Sequence, residues 1–264
     1  MLEHLFSMQD KVCVITGGSR GLGEYMAKGF LQAGASRVYI TARNAQECQD
    51  TAARLSEHGD CVALPGNLSS MEEIQALAGE LSSRENALHV LVNNAGTGWG
   101  AELDNYPEKG WDKVMDINVK TPFFLTQALL PLLRKGGSAD AYASVVNIGS
   151  IAAIIGDGFM NYSYGPSKAA VHQLTRNLAK DLAEQHIRVN AIAPGRFFSK
   201  LTEYASKNED AYNAEIAMIP MHRWGKADDI AGVAIMLCSP AGAFITGQII
   251  TVDGGTTLVS SPMS

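Results

Sequence analysis

What the chain lacks narrows its function first. It has no block of lysine and arginine: 21 basic residues stand against 27 acidic ones, for a net charge of -6. That balance offers no footprint for nucleic acid and no attraction to an anionic membrane surface. No apolar run reaches the ~20 residues that a membrane-spanning helix needs. The opening stretch, Met1 to Asp10, is too short and too polar in pattern to read as a secretory signal. The four cysteines, Cys13, Cys48, Cys61 and Cys238, show no C-x-x-C or other ligand spacing. No metal is expected from them, and they read as buried, reduced thiols of a cytoplasmic protein. No repeat, low-complexity tract or shift of composition divides the 264 residues. The length suits one large α/β domain with a substantial core.

What is present alternates between short β-branched runs and helical patterns. Lys11 to Thr16 reads as a central parallel strand. It runs into Gly17-Gly18-Ser19-Arg20-Gly21-Leu22-Gly23 and then a helical pattern through Ala33. A glycine motif between strand and helix is the setting in which backbone N–H groups cradle a pyrophosphate. Gly17 would make the tight turn, Gly21 the close approach and Gly23 the helix packing. Further strands are expected at Arg37 to Thr41, Cys61 to Leu64, Leu88 to Val92, Ala143 to Ile148, Ile187 to Ile192 and Gln248 to Val252. Helical patterns cover Ala45 to His58, Ser70 to Leu81, Trp111 to Arg134 and Ala227 to Cys238. The architecture this predicts is a Rossmann-like, doubly wound parallel sheet of seven strands in a single domain.

A site for NAD usually places Asp or Glu at the end of the second strand, on the adenosine ribose. Here Thr41-Ala42-Arg43-Asn44 carries no acid. Arg43, with Arg20 from the glycine loop, could instead hold the 2′-phosphate of NADP(H), although both also suit a solvated surface. Asn67, after the third strand, is either an adenine contact or a turn asparagine. Asn93-Asn94-Ala95-Gly96 ends the fourth strand, on the sheet edge where ligands bind in such folds. Pro122 lies inside the pattern from Trp111 to Arg134 and should kink it, or leave Asn118 beside an irregular turn.

Tyr164-Gly165-Pro166-Ser167-Lys168 precedes a helical run from Ala169 to Asp181. If helical, Tyr164 and Lys168 share a face one turn apart. An ammonium beside a phenol favours the phenolate, so the pair could exchange a proton with a substrate oxygen near neutral pH. Alone, this spacing more often marks a plain surface helix. Ser150, at the end of the fifth strand, could polarise a carbonyl or simply form a turn. The long segment 196–222 reads as a substrate lid. Trp99, Phe159, Met160, Phe198 and Met218 are candidates for an apolar pocket, though each also suits plain packing.

Together, TGGSRGLG at 16–23, NNAG at 93–96, Asn118, Ser150, YGPSK at 164–168, PG at 194–195 and VDGG at 252–255 resemble the short-chain dehydrogenase/reductase family. They follow its order and spacing over nearly the whole chain. Within the family the sequence is most similar to NADPH-dependent 3-oxoacyl reductases of the rhamnolipid-biosynthesis type. The resemblance implies Tyr164 as proton donor and Ser150 on the carbonyl oxygen. It makes Lys168 a modulator of the phenol and a ribose contact, and Asn118 the anchor of a relay water. It further implies an NADP(H) site of Gly17, Ser19, Arg20, Gly21, Leu22, Arg43, Asn67, Leu68, Asn94, Ala95, Gly96, Tyr164, Lys168, Pro194, Gly195 and Ser199. The family usually has Asp where Asn67 stands. Relatives that use an acyl-carrier protein place basic residues beside the cleft. Arg134 and Lys135 fill one such place, whereas Gln185 and His186 stand at another. The expected reaction is reduction of a 3-oxoacyl or other hydrophobic ketone. The alternatives are a cyclic or polyketide-type ketone, an isomerase or dehydratase on the same scaffold, or an NADP(H)-binding regulator without chemistry. A homotetramer is expected, with Phe123, Leu125, Leu129, Leu174 and Leu178 as surplus apolar residues across a two-fold axis.

Overall fold

The computed structural model describes residues 2–156, 160–198 and 208–259. Among them a seven-stranded sheet runs in the order β3-β2-β1-β4-β5-β6-β7. The strands are β1 (Val12–Thr16), β2 (Arg37–Thr41), β3 (Cys61–Ala63), β4 (Val90–Asn93), β5 (Ala143–Ile148), β6 (Ile187–Pro194) and β7 (Ile249–Val252). Every neighbouring pair is parallel. The seven-stranded, doubly wound sheet expected from the sequence is therefore the observed one.

Alternate residues of the central strands feed two cores, as a parallel sheet covered on both faces requires. Cys13, Ile15, Val38, Ile40, Val90 and Val92 join one cluster, which includes Met26, Phe30 and Leu237. Val14, Tyr39, Leu91, Val145 and Val189 join the other, with Leu77, Leu125 and Leu129. The covering helices include α2 (Gly21–Gln32), α3 (Ala45–Leu55), α4 (Met71–Arg84), α6 (Thr121–Gly136), α7 (Tyr164–Leu182) and α9 (Ala227–Cys238). The short α1 (Leu2–Leu5) precedes β1, and α5 (Glu108–Met115) precedes α6.

Three details differ from the sequence reading. The helical pattern at 111–134 is α5 and α6 joined by a π-helical turn, Asp116–Lys120, that contains Asn118. Pro122 lies two residues beyond that turn, so the irregularity expected near it is realised as a π-bulge. Second, 196–222 holds a helix, α8 (Glu209–Ala217), capped by Asn208, which accepts the Ala211 N–H at 3.1 Å. Asn208 followed by Glu209 and Asp210 was a legible start signal. Third, Leu125 and Leu129 are not surplus. Both are fully buried in the chain's own core, because the face of α6 that carries them lies against the sheet. Phe123, on another face, is the partly exposed one at 36%.

Candidate active site

The C-terminal edge of the sheet gathers the chemistry. At the end of β1, Gly17 (φ +64°) and Gly21 (φ +55°) adopt left-handed backbone that side chains disfavour. A Cβ on Gly23 would collide with the Gly17 carbonyl oxygen and lie 2.6 Å from Asn94 Nδ2, so α2 abuts the loop only because Gly23 has none. Asn94 donates from Nδ2 to the carbonyls of Thr16 (2.9 Å) and Gly17 (3.0 Å). Thr16 Oγ1 accepts from the N–H groups of Asn94 (3.0 Å) and Ala95 (2.9 Å). The glycine loop and the loop after β4 are thus one hydrogen-bonded unit. The sequence reading named Thr16 only as a strand end and the first residue of a motif; its hydroxyl joins the two loops.

At the end of β2, Arg43 is exposed. Arg20, also exposed, pairs with Glu47 of α3 at 3.5 Å. Ser19 is buried and its carbonyl accepts from Thr51 Oγ1 at 2.9 Å. Leu22 packs at the edge of the core. Asn67 is exposed, while Leu68 is buried with its carbonyl bonded to Thr121 Oγ1 at 2.6 Å. Pro194 ends β6, and the Gly195 N–H donates to the Val252 carbonyl at 2.9 Å. Ser199 lies outside the described residues.

Tyr164 opens α7 with Pro166 in its first turn, where a missing N–H is harmless. Lys168, one turn on, is 4% exposed. Its Nζ donates to the Ile148 carbonyl at 2.7 Å and stands 5.6 Å from the centre of the Tyr164 ring. Burial pulls its pKa down to about 8. A Cβ on Gly96 would lie 3.3 Å from Asn118 Oδ1 and 3.5 Å from Lys168 Nζ, so these three residues meet at one point.

Asn118 is 1% exposed and fully engaged. Its Oδ1 accepts the Thr97 N–H at 2.8 Å, and its Nδ2 donates to the Thr97 carbonyl and Ser167 Oγ, each at 2.9 Å. Ser167 Oγ donates in turn to the Tyr164 carbonyl at 2.7 Å. The asparagine therefore joins the loop after β4 to the first turn of α7.

Ser150, 8% exposed, follows β5 and accepts the Ala152 N–H at 3.1 Å. A Cβ on Gly165 would sit 2.9 Å from the Ala152 carbonyl, so the loop that carries Ser150 lies directly on the start of α7. Behind it, a Cβ on Gly149 would collide with His172 Nε2. That nitrogen is buried without a partner, and burial holds the imidazole at a pKa of about 4. Beneath the edge, Asn93 Nδ2 donates to Asn147 Oδ1 (2.9 Å) and Thr126 Oγ1 (3.2 Å), and Asn147 Nδ2 to Thr175 Oγ1 (2.9 Å). This polar ladder ties β4 and β5 to α6 and α7.

Of the five pocket candidates, Met160 and Phe198 line different cavities. Met160 lines a cavity of about 450 Å³ with Ala152, Ile154, Ile155, Tyr162 and Pro166, beside Tyr164. Phe198 instead packs on Trp224, with ring centres 5.4 Å apart, in a second cavity that includes Tyr25 and Tyr212. The Trp99 ring covers Gly110 under the Lys113 ammonium, 5.4 Å away. Met218 is 60% exposed, and Phe159 lies outside the described residues.

A nucleotide-dependent oxidoreductase of the short-chain type is the class that this sheet edge and this Ser-Tyr-Lys set define. Residues 17–257 match the family model described as enoyl-(acyl carrier protein) reductase. The chain belongs to the short-chain dehydrogenase/reductase family. It is 53% identical to a rhamnolipids biosynthesis 3-oxoacyl-(acyl-carrier-protein) reductase of Pseudomonas aeruginosa, over 95% of this chain and 97% of that one. The solved RhlG/NADP active-site complex of P. aeruginosa superposes with a TM-score of 0.94 at 50% identity, covering 96% of this chain and 99% of that one. A 2-dehydro-3-deoxy-D-gluconate 5-dehydrogenase of Dickeya dadantii is 34% identical over 97% of this chain and 98% of its own length. All four cysteines are free and buried, and no helix among the described residues is long and apolar enough to cross a membrane.

Proposed function

We propose that the protein is an NADPH-dependent reductase of a ketone on an apolar acyl substrate, with Tyr164 as proton donor. The observation that carries the reading is Lys168: a buried ammonium, 5.6 Å from the Tyr164 ring, at the point where Gly96 and Asn118 also meet.

The site fits the dinucleotide. Gly17 and Gly21 hold positive φ, and at Gly21 the direction a Cβ would take is open, with nothing within 4 Å. The first N–H groups of α2, which have no intrahelical acceptor, would face a pyrophosphate there. Gly17, Ser19, Gly21 and Leu22 would hold it, with Asn94, Ala95, Gly96, Pro194 and Gly195 along the cofactor and Arg20 and Arg43 on the 2′-phosphate. When bound, NADPH supplies the hydride.

The chain's residues do the rest. Lys168, charged below its pKa of about 8, favours the phenolate of Tyr164 after the proton has left. Ser150, set against the start of α7, hydrogen-bonds the carbonyl oxygen and polarises it. Asn118 keeps the loop after β4 and the first turn of α7 in register, so the donor and the cofactor edge do not drift apart. An acyl substrate is favoured over a sugar acid because the cavity beside Tyr164 is lined by Ile154, Ile155, Met160 and Pro166, with no cation among its described lining residues.

The P. aeruginosa relative, named for a carrier-bound 3-oxoacyl substrate, supports a 3-oxoacyl group here. Whether the acyl group is free, CoA-bound or carrier-bound follows from comparing those forms. We propose a homotetramer on the same resemblance, with the exposed Trp111 and Phe123 as contributors to its interfaces. Oxidation of NADPH at 340 nm over 3-oxoacyl thioesters, cyclic ketones and keto-sugar acids tests the reading, with light scattering on the same sample. Rapid turnover of 3-oxoacyl thioesters that Tyr164→Phe abolishes is expected. Turnover in Tyr164→Phe within twofold of wild type would refute the role of the phenol.

A further inference from the structure

Tyr106 has no part in the scheme above, yet it makes the shortest link between two halves of the site. Its hydroxyl oxygen lies 2.9 Å from the Trp99 carbonyl oxygen and 2.6 Å from Ser163 Oγ. A carbonyl can only accept, so the single Tyr106 proton goes to Trp99 and the Ser163 hydroxyl donates to Tyr106. Ser163 is fully buried and immediately precedes Tyr164. Its own carbonyl accepts the Ser167 N–H at 3.0 Å, within the turn that starts α7.

The loop that Tyr106 grips is the one after β4, which carries Asn94, Ala95 and Gly96. It is held to the approach of α7 at two further points. The Trp99 N–H donates to Asn161 Oδ1 at 3.2 Å, and the Ala101 N–H to the Met160 carbonyl at 3.1 Å. Met160 itself sits at φ +40°, a conformation that a side chain adopts only when its surroundings enforce it. Tyr106 also stands edge-on to Tyr162 (5.7 Å) and Trp111 (6.5 Å), so its ring is already fixed without the hydroxyl.

We infer that Tyr106 is a positioning residue. Through Ser163 it sets where the first residue of α7, Tyr164, stands relative to the cofactor-side loop. The inference rests on the reading of Tyr164 as proton donor. Asn118 joins the same two segments from the far side of Tyr164, through Ser167, so the donor is fixed both before and after itself in the chain. The function of the Tyr106 hydroxyl is then alignment, and its ring supplies the packing.

Tyr106→Phe and Ser163→Ala, singly and together, separate these roles in the full-length enzyme. The assay uses NADPH with acetoacetyl-CoA, or with whichever ketone of the panel the wild type turns over fastest. A misplaced donor should lower kcat about 10- to 100-fold in each single variant. The double variant should lose little more than either single, because both remove the same link. The NADPH dissociation constant, from cofactor fluorescence, should stay within about twofold of wild type, since Thr16 holds Asn94 and Ala95 without help from Tyr106. Wild-type kcat in Tyr106→Phe overturns the inference. So does a double variant that loses the product of the two single effects, or NADPH affinity that falls in step with kcat. Tyr164→Phe is measured alongside: if it retains turnover, the proposed function has failed instead.

Discussion

Lys168 donates one of its three N–H bonds to the carbonyl oxygen of Ile148, 2.7 Å away across the end of β5. The bond ties the cation of α7 to the last residue of the strand that runs directly into Gly149-Ser150. It satisfies a charge that burial otherwise penalises, and leaves two N–H groups for other partners.

That burial sets a pH limit. A lysine with a pKa of about 8 is charged below that value and neutral above it. The Tyr164 phenol loses its electrostatic partner as the pH rises through 8, whereas an ordinary lysine would hold its charge to about 10.4. We expect kcat/KM for NADPH, which reports groups of the free enzyme, to fall above about pH 8. A rate that stays flat to pH 10 would show that Lys168 remains charged or does not matter.

If the proposed 2′-phosphate site is right, cofactor choice turns on Arg43 and Arg20. Hydrogen bonds to charged groups contribute about 1.5–3 kcal/mol each. One such bond at the lower end corresponds to roughly tenfold discrimination. NADPH should be preferred to NADH by at least about tenfold in kcat/KM on that arithmetic. Arg43→Ala should remove most of the preference by raising KM for NADPH, with NADH kinetics little changed. Arg20→Ala should matter less, because Glu47 already shares that guanidinium. Equal use of both cofactors by the wild type would contradict the reading of β2's end.

His172 predicts the acid side of the stability curve. Buried beside Gly149, and with Lys168 and Arg176 disfavouring a further charge, it has a pKa of about 4 against an ordinary value near 6.5. The unfolded chain binds its proton first. Its contribution is therefore complete above pH 6.5 and is lost as the pH falls toward 4. The loss is on the order of 2 kcal/mol. His172→Gln, compared with wild type by urea denaturation at pH 7.5 and 4.5, should lose less stability between the two. Parallel losses would mean that the imidazole is not buried neutral.

Most of the sheet was legible because both faces of its central strands are covered, which leaves apolar runs such as that ending at Thr16 bounded by glycine. Strand ends were less so. The pattern at 88–92 begins early, since the Leu88 N–H bonds to the Leu132 carbonyl of α6 rather than to a strand. At the site, residues in local motifs could be named, but their partners could not. The proximity of Gly96, Asn118 and Lys168, from three distant parts of the chain, exists only once β4 and β5 lie side by side. Tyr106 and Ser163 carry no motif at all, being 57 positions apart. Phe198 and Met160 line different cavities, which the sequence could not declare, because an apolar residue in a loop has no periodicity to show which way it faces.

The order of the sheet has a bearing on how the molecule comes into being. β4 settles beside β1 while β2 and β3 go to the other side, so the first-made strand ends up in the interior of the sheet, which widens outward in both directions. None of these parallel pairs can form by local contact, and each must close a long loop before it is rewarded. A nascent chain therefore exposes the naked edge of β1 until residues 90–93 have been synthesised, and the edge of β5 until β6 arrives. Those unpaired edges are where strands of neighbouring chains could add, and they mark the stages at which aggregation competes with folding.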